Sequence, residues 1–312
     1  MNITDPQIVL GTMDFGTRVD PDQAFAILDS FVASGGVWLD TANCYSFWTD
    51  PSGVGGASER LIGEWLRARP SARDAVRIAT KVRQNPLVPH SWPASAEGLS
   101  ARAVHAGVEE SLGRLGIDHV DLLWAHAEDR TVPLEETVGA FGELVAKGVA
   151  LRVGAANHAA WRVERARSLA REQGVEPWTA LQLRHSLVQP RPLTPLAENG
   201  HRLLADEDLD FAQSEGLTMW SYSSLMWGSY VRADKPLPQT YDHPGTTRVL
   251  SVLDDVASEL AATRNQVVLA WLMRRGIDPI VGVSRVEQVE EALAARRVRL
   301  GGEHLARFAE AR

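Results

Sequence analysis

The tightest constraint on this chain is a repeated switch between two hydrophobic periods. Short apolar runs rich in β-branched residues recur near residues 8–12, 37–41, 76–82, 120–126, 151–156, 179–183, 217–222 and 279–283. Between them the apolar residues fall about three and four positions apart, as in Ala24, Ile27, Leu28, Phe31 and Val32, or Val138, Phe141, Leu144 and Val145. A strand places side chains alternately on two faces, whereas a helix gathers them along one stripe. The pattern therefore reads as strand, helix, strand, with Gly35-Gly36, Gly148 and Gly174 where helices should stop. Strands separated by helices run parallel. Two closures satisfy this, a doubly wound open sheet and a closed (β/α)8 TIM barrel. The strand count and the length of 312 residues favour the α/β barrel, as a single domain over residues 1–312.

Composition excludes several functions. The net charge is -8 and no basic run stands out, so a nucleic-acid partner is not expected. No apolar run reaches the roughly 20 residues of a membrane helix. The N-terminal residues lack the basic head and apolar core of a secretory signal, which points to the cytoplasm. One cysteine, Cys44, cannot form an internal disulfide or a multi-cysteine metal site. His158, His185 and His201 have no partner spacing that suggests a metal.

Chemistry concentrates at strand ends. Asp40, Lys81 and His126 close the second, third and fourth strands, and Tyr45 lies just beyond Asp40. In a parallel barrel these ends meet on one rim, where loops build the active site. Singly, each has a plain structural reading: a salt bridge, a satisfied core histidine, a packed loop tyrosine. Together they form a proton-donating set. A free phenol has a pKa of about 10, too high for efficient acid catalysis at neutral pH. An ammonium at Lys81 is expected to lower it, with Asp40 holding Lys81 in place and His126 orienting a carbonyl. No residue supplies a redox centre, so the hydride must come from a cofactor.

The ordered segments resemble the aldo-keto reductase superfamily over nearly the whole chain. They include Asp40-Thr41-Ala42-Asn43-Cys44-Tyr45, Gly56-Ala57-Ser58-Glu59, Ile78-Ala79-Thr80-Lys81, and Val120-Asp121-Leu122-Leu123 with His126. That resemblance implies a catalytic tetrad of Asp40, Tyr45, Lys81 and His126, with Tyr45 as general acid. It also implies an extended nicotinamide dinucleotide bound without a Gly-x-Gly-x-x-Gly turn. By the same resemblance Thr12 and Met13 lie against the ribose and nicotinamide beside Asp40. Asn157 and Gln182 hold the carboxamide, with Ala156 where the family has serine. Tyr222 stacks on the ring, and the backbone at Ser223 and Leu225 wraps the pyrophosphate. Gly282, Ser284, Arg285, Gln288 and Glu291 make the adenosine-phosphate seat, where an arginine favours NADPH over NADH. Ala292 stands where the family has asparagine, and His185 where it carries an aromatic at the pocket floor.

Two long stretches after strands, 43–57 and 185–210, carry aromatics and prolines, including Pro190, Pro192 and Pro195. Trp48 and Trp227 are read as substrate-pocket walls, with His126 between them. Trp38, Trp65, Trp124, Trp161 and Trp271 are read as packing. The segment after Arg299 is short, which in this superfamily implies an open pocket accepting bulky or varied small-molecule carbonyls. The expected activity is reduction of an aldehyde, ketone or sugar-like substrate. The alternatives are a nucleotide-binding regulatory subunit without significant turnover and a metal-dependent barrel hydrolase. The oligomeric state is left open.

Overall fold

The computed structural model describes residues 6–194, 196 and 200–312; Pro195 lies outside them. Eight parallel strands close into a barrel in sequence order: β1 (Val9–Gly11), β2 (Trp38–Asp40), β3 (Arg77–Val82), β4 (Leu122–Ala125), β5 (Val153–Ala156), β6 (Ala180–Arg184), β7 (Thr218–Tyr222) and β8 (Ile277–Gly282). Closure is made where Gly11 of β1 pairs with Gly282 of β8. The helices are α1 (Pro21–Ala33), α2 (Ala57–Ala68), α3 (Ala72–Ala75), α4 (Ala101–Leu115), α5 (Leu134–Ala146), α6 (Ala160–Gln173), α7 (Asp206–Ser214), α8 (Pro244–Glu259), α9 (Arg264–Arg274), α10 (Val286–Ala294) and α11 (Gly302–Ala311). The fold is thus the (β/α)8 TIM barrel, and the open doubly wound sheet is excluded. Among the described residues no helix is long and apolar enough to cross a membrane.

Local chemistry sets the boundaries. Asp20 caps α1 by accepting from the Gln23 amide at 3.1 Å, and Pro21 follows at the first helical position. Gly174 ends α6 in the left-handed conformation, φ 68°, which the absence of a Cβ permits. β4 and β5 are shorter than the apolar runs at 120–126 and 151–156, because Val120 and Ala150 meet only in an isolated bridge.

Inside the barrel, alternation decides what points inward. Val9, Ala79, Leu122, Trp124, Ala180, Trp220 and Ile280 form an apolar plug, with Trp38 and Tyr222 against it. Trp220 contacts Trp38 and Trp124 at centroid distances of 5.2 and 5.3 Å. Gly154 makes room for this plug: a Cβ there would sit 2.7 Å from the Trp124 ring. Asp40, Lys81 and Gln182 lie two residues beyond Trp38, Ala79 and Ala180, so they share the inward face one layer higher. Trp161 departs from the packing reading. It sits in the first turn of α6, 60% exposed, under the Arg130 guanidinium.

The opposite end of the barrel holds a second carboxylate. Burial pushes Asp278 up to about 6, against the Gln7 amide that donates to it at 2.6 Å. The folded state therefore binds this proton more tightly than the unfolded chain, whose value is near 3.8. That stabilisation is full below the unfolded value and is lost as pH rises through the folded one. Asp278→Asn should accordingly raise stability by about 1–2 kcal/mol near pH 8 and change it little near pH 4. Thermal melts at the two pH values check this; equal shifts at both would rule out a proton held by the fold.

Candidate active site

The rim above the plug gathers the four residues expected there. Lys81 has no solvent exposure (0%) and its Nζ donates three hydrogen bonds. The acceptors are Asp40 Oδ2 at 2.6 Å, the Thr41 carbonyl at 2.8 Å and the Tyr45 phenol oxygen at 2.7 Å. Gln182 Nε2 donates to the other oxygen of Asp40 at 3.1 Å. The Tyr45 hydroxyl in turn donates a long hydrogen bond to Asp40 Oδ2 at 3.4 Å. The His126 ring stands edge-on to Tyr45, centroids 6.0 Å apart.

Burial dominates the electrostatics of this cluster. It pushes the Asp40 carboxyl up and the Lys81 ammonium down, and their mutual attraction opposes both shifts. The expectation that Lys81 lowers the phenol is corrected here. Burial, then the Asp40 carboxylate, push Tyr45 well above the ordinary phenol value. His126 is pushed well below the usual histidine range by burial, then by Lys81, His201 and, least, Arg83, so its imidazole is neutral. The Cys44 thiol, 3.5 Å from His126 Nδ1, is itself pushed up by burial and stays protonated.

Residues 43–57, which carry Tyr45, are tied down by the Gly-x-Ser-Glu segment at the start of α2. Ser58 Oγ donates to the Thr12 carbonyl at 2.8 Å and lies 2.8 Å from the hydroxyls of both Thr12 and Thr41. Glu59, fully buried, accepts from Thr80 Oγ1 at 2.6 Å and Arg114 Nε at 2.7 Å. The Thr12 side chain is buried, bonded to Ser58 and the Asp40 carbonyl. Met13 is half-buried beside it, its carbonyl accepting from Ser46.

The ends of β5 to β7 complete the mouth. Asn157 and Ser223 turn the chain there with left-handed φ values of 58° and 56°. Asn157 Nδ2 donates to the His126 carbonyl at 3.0 Å, and its Oδ1 accepts from the Tyr222 hydroxyl at 2.6 Å. Tyr222 is thereby pinned across the mouth, with its ring against the plug. Ser224 supplies what its position needs by donating to the Ser221 carbonyl at 2.9 Å. Leu225 packs on the core. His185 is not at the pocket floor: it faces outward, stacked on Trp271 of α9, and burial lowers it to about 3.

After β8, Gly282 is open, with nothing within 4 Å of a built Cβ. Gln288 Oε1 accepts from the Ser284 amide at 2.8 Å, which fixes the turn into α10. Arg285 is exposed at the start of that helix. Glu291 instead reaches α9, accepting from Thr263 Oγ1 at 2.6 Å, and Ala292 is buried.

A cavity of about 630 Å³ opens among the loops after β3 to β6; Asn157, which donates to the His126 carbonyl, lines it, whereas Tyr45, Lys81 and His126 do not. Its wall includes Arg83, Trp92, Asn157, His201 and Arg202. Trp48 and Trp227, both 44% exposed, are not part of it. Trp48 packs edge-on to Phe47, and Trp227 lies under the Arg184 guanidinium. The aromatic at the cavity is Trp92, linked to Trp48 through Phe47. Sequence reading missed Trp92 and Arg83; the available signal was Arg83's position two residues after Lys81.

The sequence profile of the Aldo/keto reductase family matches residues 7–312. Norsolorinic acid reductase stcV of Emericella nidulans is 29% identical over 96% of this chain and 76% of its own length. The uncharacterized oxidoreductase YrpG of Bacillus subtilis is 29% identical over 96% of this chain and 90% of its own. An aryl-alcohol dehydrogenase of Pestalotiopsis microspora is 28% identical over 90% of this chain and 70% of its own.

Proposed function

Because the chain belongs to the aldo/keto reductase family and is an NAD(P)H-dependent oxidoreductase, we propose that it reduces an aldehyde, ketone or sugar-like carbonyl to the alcohol, with Tyr45 giving the proton. The observation that carries this reading is Lys81 Nζ at 2.7 Å from the Tyr45 hydroxyl and 2.6 Å from Asp40. Lys81 polarises the phenol by donating to its oxygen. Asp40 holds Lys81, and Gln182 holds Asp40. His126, neutral and beside Tyr45, is suited to donate a hydrogen bond to a carbonyl oxygen rather than to lose a proton. A phenol held protonated suits the reductive direction, because its acceptor there is a developing alkoxide, a far stronger base.

The donor set at the rim fits a nicotinamide dinucleotide. Tyr222 offers a pinned aromatic face, Asn157 and Gln182 offer amides, and Met13 closes one side. The turns at Ser223 and Leu225 and at Gly282 would offer backbone to phosphates, with the exposed Ser284 beside Gly282. Arg285, with Gln288 and Glu291 on the same helix, would meet the adenosine end, and its guanidinium suits a 2′-phosphate. When bound, the dinucleotide supplies the hydride. A metal-assisted reaction has no matching ligand set, since among the described residues no three His, Cys, Asp or Glu side chains converge on one point.

The test follows NADPH and NADH consumption with a panel of aldehydes, beside coenzyme titrations by fluorescence. Turnover with NADPH is expected, and Arg285→Ala should weaken NADPH binding about tenfold or more while sparing NADH. Coenzyme binding without turnover of any carbonyl would instead mark a nucleotide-binding regulatory subunit.

A further inference from the structure

The cavity that Asn157 joins to the His126 loop contains one cation, Arg83, that no carboxylate among the described residues pairs with. Arg83 begins the loop after β3 with φ 120°, a conformation unusual for a side-chain-bearing residue. Its amide is captured by Glu97 Oε1 at 2.5 Å, which fixes the backbone. Its guanidinium donates from Nη1 to Gln84 Oε1 at 2.8 Å, while Nε is buried without an acceptor. No carboxylate oxygen among the described residues lies within ion-pair distance of it.

The other charges on the cavity wall are accounted for. Arg130 pairs with Glu128 at 2.7 Å, and Arg202 with Asp208 at 3.6 Å. Burial raises the Asp129 carboxyl, but bonds from the Thr131 hydroxyl and the Thr131 and Leu99 amides and, least, the Arg83 charge beyond ion-pair distance hold it below the usual range. Glu97 accepts from Asn43 and from the Arg83 and Asn85 amides, and burial pushes its carboxyl up, towards the neutral form. Arg83 also contributes to keeping His126 neutral, so its charge is felt at the reacting centre.

We propose that Arg83 is a substrate-recognition residue, and that the preferred carbonyl substrates carry a carboxylate which this guanidinium binds while the carbonyl sits at Tyr45 and His126. This rests on the reductase reading and names the substrate class for the same site. An uncompensated guanidinium on a cavity wall costs solvation that an anionic ligand restores, and charge-assisted bonds of this kind are the strong ones. A purely neutral substrate would leave it unmet.

The experiment compares para-formylbenzoate with its methyl ester in the wild-type protein, Arg83→Gln and Arg83→Lys, with NADPH as coenzyme. The ester group activates its aldehyde more than the carboxylate does, so it is the change in the ratio of kcat/KM values from wild type to variant that reads recognition. The wild-type ratio should favour the carboxylate. Arg83→Gln should lower that ratio by about tenfold to a hundredfold, mostly through KM of the carboxylate, and Arg83→Lys should recover part of it. A role in folding alone would depress both substrates together and leave the ratio unchanged, which overturns the proposal. Equal wild-type use of both aldehydes also overturns it, while leaving the reductase reading intact. Failure to turn over either aldehyde removes the shared premise and the proposal with it.

Discussion

Replacing Tyr45 with phenylalanine should lower kcat for aldehyde reduction by about a hundredfold to ten-thousandfold, with coenzyme binding retained. The argument is local. The hydroxyl is the only atom removed, and Lys81 keeps its bonds to Asp40 and the Thr41 carbonyl, so the rim should hold its shape. What disappears is a protonated group beside the carbonyl site, and a neutral His126 is a poor substitute donor of a whole proton. The pH dependence follows from the same environment. Because burial and Asp40 raise the phenol, reduction should be level through the neutral range, where Tyr45 is fully protonated. Oxidation of the matching alcohol should rise with pH, since the phenol must first release its proton. Steady-state rates in both directions, with fluorescence titration of NADPH, check each part. A variant retaining a tenth of wild-type kcat would remove Tyr45 from the role.

Lys81→Met should cost about 3–5 kcal/mol of stability and abolish detectable reduction. Lys81 and Asp40 are both buried, so removing the ammonium leaves a carboxylate with only Gln182 and Tyr45 for partners. An unpaired buried charge is far more damaging than the loss of a pair as a whole. The double variant Asp40→Asn, Lys81→Met should therefore regain most of the lost stability while staying inactive, because its phenol has no cation at its oxygen. Denaturant melts on the two single variants and the double variant give the coupling directly. Additive losses would mean that the two side chains act independently, contrary to their 2.6 Å contact.

Periodicity made the barrel legible, and the barrel made the rim legible. Once Asp40, Lys81 and His126 are placed at neighbouring strand ends, their convergence follows from parallel pairing, and Tyr45 follows Asp40 too closely in the chain to lie far away. The phenol's raised pKa was not legible, because how deeply a group is buried depends on what the other strands place above it. The partner of the Thr12 hydroxyl was hidden for a similar reason: Ser58 is 46 positions away. Arg83 escaped notice because its direction depends on a left-handed backbone and on Glu97, 14 positions further on. Trp161 looked like packing because apolar spacing cannot fix which way the first turn of a helix faces.

Every N–H bond of the Lys81 ammonium already has an acceptor within the chain. One of these bonds ends on the Tyr45 oxygen, so a phenolate formed there would face an ammonium hydrogen directly. Tyr45 is also partly open to solvent, so the same oxygen is exposed to water from the barrel mouth.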